Sequence, residues 1–413
     1  MQQESNEGKA KRLKEAVVAA VDSRQKELID ISLKIHDNPE VRFKEFKACK
    51  LLADYLGHNG FSVEYGVYDL ETAFMATIGS SRPKIAIMAE YDALEVVGHG
   101  CGHNIIGTAA AGAGVALASV IEELGGAVVV FGTPGEEFGN GKELMAKRGA
   151  FNDIDVAMMI HPWNRDWSTC DCAAVCPVNV EYFGKLAHPC TPEQGINALD
   201  AMLVGFNAFS TLRQTLLTVS ESEQAVFGTN IRTDADASFI PDHTTAQVVG
   251  FGIDDDRLKA TLDRMQDCFR AGAIATGARL GFRYDWDNRC RATYVNRVMC
   301  ELFDTNMKWI RPNWNPVTLP NSLLERGATD MGSVSQIIPS IHVWIAIASP
   351  EVGWHTVESA AAAASEKGHK TMLDGAKAMA MTTIDLIMHP DILSKAKDEF
   401  RILRKRIEGQ ACT

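Results

Sequence analysis

The strongest constraint on the fold is a repeated alternation of apolar, strand-like runs with helix-like segments. Four runs are almost continuously apolar: KIAIMAEY from Lys84, AVVVFGT from Ala127, VAMMIHP from Val156 and SIHVWIAIA from Ser340. Helix-like segments separate them, including the small-residue stretch NIIGTAAAGAGVALASVIEELG over 104–125. Strands that are apolar on both faces and alternate with helices are typical of a parallel sheet covered on both sides. The sequence therefore predicts an α/β fold with a doubly wound, mostly parallel sheet.

Helical periodicity is clearest towards the two ends of the chain. Apolar residues recur at helical spacing over 10–35, which predicts one long amphipathic helix there. The alanine-rich stretch from about residue 357 predicts a long final helix.

The pattern of the segments changes inside the chain, which has 413 residues and is therefore long for a single core. After residue 177 the runs PVNVEYFGK and TTAQVVGFGI alternate in polarity and flank two amphipathic helices, which is typical of a sheet with one open face. The earlier α/β pattern returns near residue 292. We therefore expect a discontinuous α/β domain over 1–177 and 292–413, interrupted by an inserted α+β domain over 178–291.

Charge and cysteine content narrow the partners and the compartment. A net charge of −12 argues against nucleic acid or an anionic membrane as the main partner. The N-terminal segment has no basic start followed by an apolar core, and no stretch approaches the roughly 20 apolar residues of a membrane span. Ten cysteines without an export signal are best interpreted as thiols in a reducing compartment. We expect a soluble, cytoplasmic protein.

Metal-binding side chains follow the predicted strands. GHGCGHN (98–104) brings Cys101 and His103 after the first strand, and TPGEE brings Glu136 and Glu137 after the second. His161 ends the third strand, and His355 follows the fourth. Because ligands of open α/β sheets gather beyond the carboxyl ends of the strands, these side chains are expected to converge.

The donor types indicate a particular chemistry. Thiolate and imidazole groups suit Zn²⁺ or Mn²⁺, and a carboxylate adds the charge that holds the ion. The glycines at 98, 100 and 102 allow the backbone to fold tightly around an ion. Of two adjacent glutamates, one can ligate while the other takes a proton from a water whose pKa the metal has lowered to about 7.

These motifs also resemble those of a known family. GHGCGHN, GTPGEEFGNGK, IHP, FGKLAHP and ATDMGSVSQIIPSIHV…WHT are similar to the aminoacylase and carboxypeptidase-G type metallopeptidases, especially their amidohydrolase branch. That branch includes aminobenzoyl-glutamate hydrolase-like and indoleacetyl-amino-acid hydrolase-like enzymes. The resemblance covers nearly the whole chain and implies a metal-bearing catalytic domain and a smaller lid domain that forms a homodimer.

The resemblance also implies roles for individual residues. Glu136 would be the general base, His188 would reach a neighbouring subunit's site and stabilise the oxyanion, and Asn230 would lie near the substrate. One or two divalent metal ions per subunit would be held by five ligands: Cys101, His103, Glu137, His161 and His355.

The sequence departs from the family pattern beside the predicted metal site. Where many relatives have a histidine ligand and an aspartate two residues later, this chain has Glu90 and Asp92. This departure argues against the standard two-metal site and leaves open whether Glu90 ligates; Asp92 is expected beside the ligands. Asn104 replaces a frequent aspartate, and the segment after His161 (WNRDWSTCDCAAVC) is unlike that of peptidases in this branch. These changes bear on the substrate more than on the metal.

The predicted reaction is hydrolysis of a C–N bond by metal-activated water, with a small N-acyl amino acid or aryl amide as the substrate. An alternative is hydrolytic deamination of an aminobenzoate, like that of 5-nitroanthranilate, in which Trp163 would form the wall of a pocket for a flat molecule. Arg289 and Arg291 could hold a substrate carboxylate in either reaction. A third hypothesis is a metal-binding family member without catalytic activity.

Overall fold

The structure is a computed structural model that describes residues 5–219, 223–227, 230–317 and 324–410. Its contacts group the chain into a first unit (Met1–Cys170, Tyr294–Leu319 and Ser333–Thr413) and a second unit (Asp171–Thr293 and Pro320–Gly332). The divisions lie at 170/171 and 293/294, whereas the sequence predicts them at 177/178 and 291/292. The difference at the first division arises because one continuous strand of the second unit already begins at Ala174.

The helices and strands follow one another along the whole chain. In chain order they are α1 (Asn6–Ser23), α2 (Gln25–His36), α3 (Phe46–His58), β1 (Ser62–Tyr65), β2 (Phe74–Gly79), β3 (Lys84–Ala89), α4 (His103–Ala118), α5 (Ile121–Leu124), β4 (Ala127–Gly132), α6 (Glu136–Gly139), α7 (Gly141–Lys147), β5 (Val156–Trp163), β6 (Ala174–Phe183), α8 (Ala198–Val219), β7 (Glu223–Phe227), β8 (Arg232–Thr233), β9 (His243–Gly252), α9 (Asp255–Thr276), β10 (Arg279–Tyr284), α10 (Arg297–Ile310), α11 (Met331–Ser335), β11 (Ser340–Ala346), α12 (Val357–Ala363), α13 (Glu366–Met388) and α14 (Pro390–Gln410).

The first unit is built on a six-stranded sheet in the order β1-β2-β4-β3-β5-β11. Strands β4, β3, β5 and β11 run parallel, while β2 pairs antiparallel with β1 and β4. The prediction of a mostly parallel α/β sheet is therefore confirmed. After β3 the chain forms β4 on one side of β3 and then β5 on the other, so a crevice lies at the carboxyl end of this central strand.

Helix α4 lies against the centre of the sheet, and every residue from His103 to Leu117 is buried. Its many small residues allow close packing: a Cβ at Gly112 would lie 3.1 Å from Leu28 of α2, and one at Gly114 would lie 2.9 Å from Val130 of β4. This helix therefore places its first residue deep inside the unit.

The helices near the chain ends are more divided than the sequence predicts. The long helix predicted over 10–35 is wrong: α1 ends at Ser23 and α2 starts at Gln25, with Arg24 between them in a non-helical conformation. Each helix buries its own apolar stripe. The single final helix is also wrong, because Ser365 caps a new helix and Pro390, which lacks the backbone donor needed inside a helix, begins the last one.

The second unit has an antiparallel sheet in the order β10-β6-β9-β7, with β8 paired to β9. Side chains of β9 alternate between buried and more exposed positions, as expected when one face packs and the other meets solvent. Helices α8 and α9 pack against this sheet and against each other. The inserted α+β arrangement is as predicted.

Within the described part of the chain, no helix has the length and apolar character needed to cross a membrane.

Candidate metal centre

The predicted ligand residues of the first unit lie at the carboxyl ends of adjacent parallel strands. Cys101 and His103 stand at the start of α4, in the connection that follows β3. Glu136 and Glu137 follow β4, and His161 lies near the end of β5. His355 follows β11.

A tight backbone turn at Gly102 brings Cys101 towards His161. Gly102 has φ +80°, and a Cβ there would lie 2.6 Å from Cγ of Pro162, so the turn accepts only glycine without a shift. The Cys101 Sγ lies 3.5 Å from the His161 Nε2. Cys101 directly precedes the N-terminus of a buried helix, where the helix dipole favours the thiolate.

Asp92 fixes the orientation and the tautomer of His103. The His103 Nδ1 and the Asp92 Oδ1 are 2.9 Å apart, and the other Asp92 oxygen accepts the backbone N–H of Glu137 at 2.9 Å. Both side chains are fully buried. With the Nδ1 proton on Asp92, the Nε2 lone pair of His103 remains available, as in the carboxylate–histidine–metal arrangement of metalloenzymes.

His161 has the same division of roles between its two ring nitrogens. Its Nδ1 donates to the Pro162 carbonyl oxygen at 2.7 Å, so its Nε2 faces Cys101 as an acceptor. The rings of Trp344 and His342 pack against it at centroid distances of 4.4 and 5.3 Å. Burial, followed by the neighbouring His342 and His103, holds the pKa of His161 well below its usual value. His161 is therefore neutral, which is the form that binds metal.

The two adjacent glutamates are directed by a kinked loop. Gly135 has φ +68°, and a Cβ there would lie 2.8 Å from the ring of Phe43. Glu137 has ψ 95°, so α6 is interrupted directly after Glu136. The Glu137 Oε1 lies 3.3 Å from the His355 Nε2, and the Glu136 Oε2 lies 3.8 Å from the His103 Nε2.

Cys101 belongs to two sets of converging ligand atoms. In each set the atoms lie within 4.8 Å of one another: Cys101, His103 and His161 form one set, and Cys101, Glu137 and His355 form the other. The His103 Nε2 and the Glu137 Oε1 are buried and have no hydrogen-bond partner among the described residues. Thiolate, imidazole and carboxylate donors suit a divalent transition metal, so these residues fit the predicted ion or ion pair.

The charges of these groups favour protonated histidines at two positions. Burial alone would lower the pKa of His103, but Cys101 and Asp92 outweigh it and raise this pKa well above its usual value. Burial also opposes protonation of His355, but Cys101 and Glu137 raise the pKa of that group to about 11. Without a metal, protons therefore provide the positive charge.

Two residues that sequence reasoning missed support the site. Lys142 of α7 is fully buried and pairs with Glu90, which is also fully buried. The other Glu90 oxygen lies 3.6 Å from the His103 Nε2. The lysine in GNGKELM is a detectable signal, because it follows the two glutamates inside a glycine-rich, apolar stretch.

The second missed residue is Glu45, which holds the glutamate-bearing loop. It is fully buried, and its Oε1 accepts the backbone N–H groups of Phe43 and Gly135 at 2.8 and 2.9 Å. Its Oε2 accepts the Thr72 hydroxyl at 2.8 Å. Burial and the nearby Asp92 raise the pKa of Glu45 to about 7.

Trp163 is part of an aromatic cluster next to His161. Its ring lies 4.8 Å from the rings of both Trp344 and Trp354. The indole N–H groups of Trp344 and Trp354 are buried without a partner among the described residues.

Four predicted site residues lie in the second unit, where they are described by their local contacts. His188 is exposed, and its Nδ1 accepts the Cys190 backbone N–H at 3.1 Å. Its neutral ring therefore carries the proton on Nε2. Asn230 is exposed and lines a polar groove of about 290 Å³ together with Arg232 and Arg283.

The two arginines predicted to bind a substrate carboxylate have an acidic partner in their own unit. The Arg289 Nε donates to Asp255 at 3.0 Å, Nη1 donates to the Trp286 carbonyl at 2.7 Å, and the guanidinium lies 4.1 Å from the Trp286 ring. Arg291 lies 3.8 Å from the same Asp255. Arg289 is buried and holds its own unit together, so neither arginine enters the proposed function.

A cavity of about 350 Å³ lies beside the second ligand set. Glu137 and His355 contribute to its lining, so a molecule in the cavity would adjoin the candidate metal centre.

Comparison with known proteins agrees with this fold and this site. The description of peptidase family M20/M25/M40 matches residues 87–389. The chain therefore belongs to this family, whose members hydrolyse C–N bonds.

Curated relatives match over nearly their full length. A Mus musculus Xaa-Arg dipeptidase is 29% identical over 409 residues, which cover 94% of this chain and 92% of the relative. A p-aminobenzoyl-glutamate hydrolase chain from Escherichia coli is 25% identical over 462 residues, which cover 92% of this chain and 93% of that relative.

Solved structures share the fold. A dinuclear metal-binding M20 peptidase from Bacillus subtilis has a TM-score of 0.66 at 18% identity, covering 89% of this chain and 99% of that one. An aminobenzoyl-glutamate utilization protein from Klebsiella pneumoniae has a TM-score of 0.61 at 17% identity, covering 86% and 96%.

Proposed function

We propose that this protein is a metal-dependent hydrolase that cleaves the C–N bond of a small N-acyl amino acid or aryl amide. The observation that carries the proposal is the pair of ligand sets sharing Cys101, with the Glu136 carboxylate close to both. Relatives named for dipeptide and aminobenzoyl-glutamate hydrolysis support the same reaction class.

The ligands would be Cys101, His103, Glu137, His161 and His355, holding one or two Mn²⁺ or Zn²⁺ ions. When bound, such an ion would supply a Lewis acid that polarises the substrate carbonyl and makes water more acidic. Glu136 is not part of either set that includes Cys101, so its carboxylate can take a proton from the attacking water and return it to the departing nitrogen.

Charge that develops on the carbonyl oxygen requires a donor. We propose that the protein is a homodimer and that His188 of the partner subunit provides this donor through its Nε2–H, with Asn230 assisting. The acceptor role of the His188 Nδ1 supports this, because it leaves the proton on the exposed nitrogen.

The decisive experiment compares wild-type protein with Glu136→Gln after loading with Mn²⁺ or Zn²⁺. Released amino acid and released ammonia are followed separately over N-acyl amino acids, aminobenzoyl-glutamate and aminobenzoates. Glu136→Gln should lower kcat by about 100-fold or more with unchanged metal content. The exposed Glu122→Gln is the matched control. Equal turnover by Glu136→Gln would refute the role of the general base.

The shared site is tested with mixed dimers. His188→Ala and Glu136→Gln subunits are each inactive, but a mixed dimer contains one complete site if His188 acts across the interface. Recovery of activity in verified mixed dimers is expected, and its absence would refute the shared site.

The runner-up is hydrolytic deamination of an aminobenzoate, which the aromatic cluster of Trp163, Trp344 and Trp354 favours. None of these rings lines the cavity beside Glu137 and His355, so amide hydrolysis is the better supported reaction. Ammonia as the only nitrogen product would reverse this order.

A further inference from the structure

The cavity beside Glu137 and His355 has an almost entirely apolar wall. Apart from these two candidate ligands, the wall consists of Val41, Ala93, Leu94, Val96, Val97 and Phe138 and the charged pair Arg42 and Glu95. Both charged residues are exposed, and Arg42 already donates to the main-chain oxygen of Glu137 at 3.4 Å. The interior therefore suits an apolar group whose polar end faces the candidate metal centre.

Two large apolar side chains of this wall are held in contact with solvent. Val96 is 93% exposed and Phe138 is 66% exposed, although each is next to the candidate ligands. Phe138 also has φ +61°, a left-handed conformation that non-glycine residues rarely adopt. Exposed apolar surface and a strained backbone at the same position are typical of a binding site.

From these contacts we infer that the cavity is the acyl subsite, and that Val96 and Phe138 select substrates with a bulky apolar acyl group, such as benzoyl, over acetyl. This inference rests on the proposed function. The amino-acid half of the substrate is a poorer occupant, because its free carboxylate would meet Glu95 and find only a rim arginine. With a volume of about 350 Å³, the cavity is of a size for one ring or a short chain.

The test uses metal-loaded protein and three substrates with one leaving group: N-acetyl-, N-butanoyl- and N-benzoylglutamate. Phe138→Gly removes the ring and accepts the left-handed backbone, so the loop that carries Glu137 keeps its conformation. We expect the ratio of kcat/KM for benzoyl to that for acetyl to fall by about 10-fold or more, as for the loss of one buried aromatic contact. Val96→Ala, on the opposite wall, should lower the same ratio by a smaller factor. Ile274→Ala changes a side chain that is 78% exposed in the second unit and should leave the ratio unchanged.

Two readouts separate this inference from the proposed function. Metal content reports whether the Phe138 variant keeps its loop, and calorimetric titration of N-benzoylglutamate and N-acetylglutamate into Glu136→Gln measures the preference without turnover. If both wall variants retain the wild-type preference in kinetics and titration, the acyl subsite is refuted. If wild-type protein binds benzoyl in preference to acetyl but hydrolyses none of the series, the proposed function fails while the apolar cavity stands.

Discussion

Asp92 joins two parts of the candidate metal centre, since one carboxylate oxygen accepts from His103 and the other from the backbone of Glu137, each at 2.9 Å. Burial opposes its ionisation, but the charge and hydrogen bond of His103 outweigh burial and keep the pKa of Asp92 below its usual value. One side chain thus orients a ligand from α4 and positions the loop after β4.

Replacement of Asp92 should therefore weaken metal binding. In Asp92→Asn the amide cannot accept from both donors as an ionised carboxylate does, so we expect metal affinity to fall by about 10- to 100-fold. Competition against a chelator of known affinity measures the change. The exposed Asp256→Asn provides the charge-matched control, and equal affinities for the two variants would contradict the positioning role.

Metal loading should release protons. The pKa of His355 is raised to about 11 in the metal-free site and that of His103 is also raised, so both rings are protonated near neutral pH. Because a ligating imidazole must be neutral, apparent affinity should increase as pH rises. Calorimetric titration of Zn²⁺ in buffers of different ionisation enthalpy counts the released protons. His355→Gln should release fewer, and buffer-independent heats for the wild type would show that these histidines do not ligate.

Glu45 should make the stability of the metal-free protein depend on pH. Its folded-state pKa of about 7 lies above the ordinary value of 4.5, so its stabilising contribution is fully present below pH 4.5 and is lost as pH rises through 7. Glu45→Gln mimics the protonated form and should be more stable than the wild type above pH 7, by about 3 kcal/mol. Denaturant unfolding at pH 5 and pH 8 measures the difference; the exposed Glu64→Gln should show none. A Glu45→Gln variant that is less stable at pH 8 would contradict this sign.

The buried pair of Lys142 and Glu90 should make a large contribution to stability that appears only when one partner is removed. Lys142→Met leaves an uncompensated carboxylate in a fully buried position, so we expect a loss of about 3–5 kcal/mol in the free energy of unfolding. Adding Glu90→Gln should restore much of that loss. If the double variant is as unstable as Lys142→Met alone, the ion pair is not the cause.

The sequence was sufficient for the fold class and for the placement of ligand-type residues at strand ends. Apolar runs that are buried on both faces are typical of a covered parallel sheet, and the carboxyl ends of such strands meet at one edge. The convergence of Cys101, His103 and His161 follows from that rule alone.

Other features depend on three-dimensional packing that periodicity does not report. The break at Arg24 leaves the apolar spacing of 10–35 almost undisturbed, so the sequence shows one helix where the structure has two. The status of Glu90 depends on Lys142, a residue 52 positions away in another element. Arg289 looks like an available guanidinium in the sequence, yet its partner Asp255 lies 34 positions earlier.

The central claim is that one thiolate joins two sets of metal ligands, and anomalous diffraction from crystals grown with excess Zn²⁺ tests it most directly. We predict density at about 2.3 Å from the Cys101 Sγ, next to the Nε2 atoms of His103 and His161, on the side of Glu137 and His355, or on both. Anomalous density that appears elsewhere in the molecule, with none in contact with Cys101, would contradict the account.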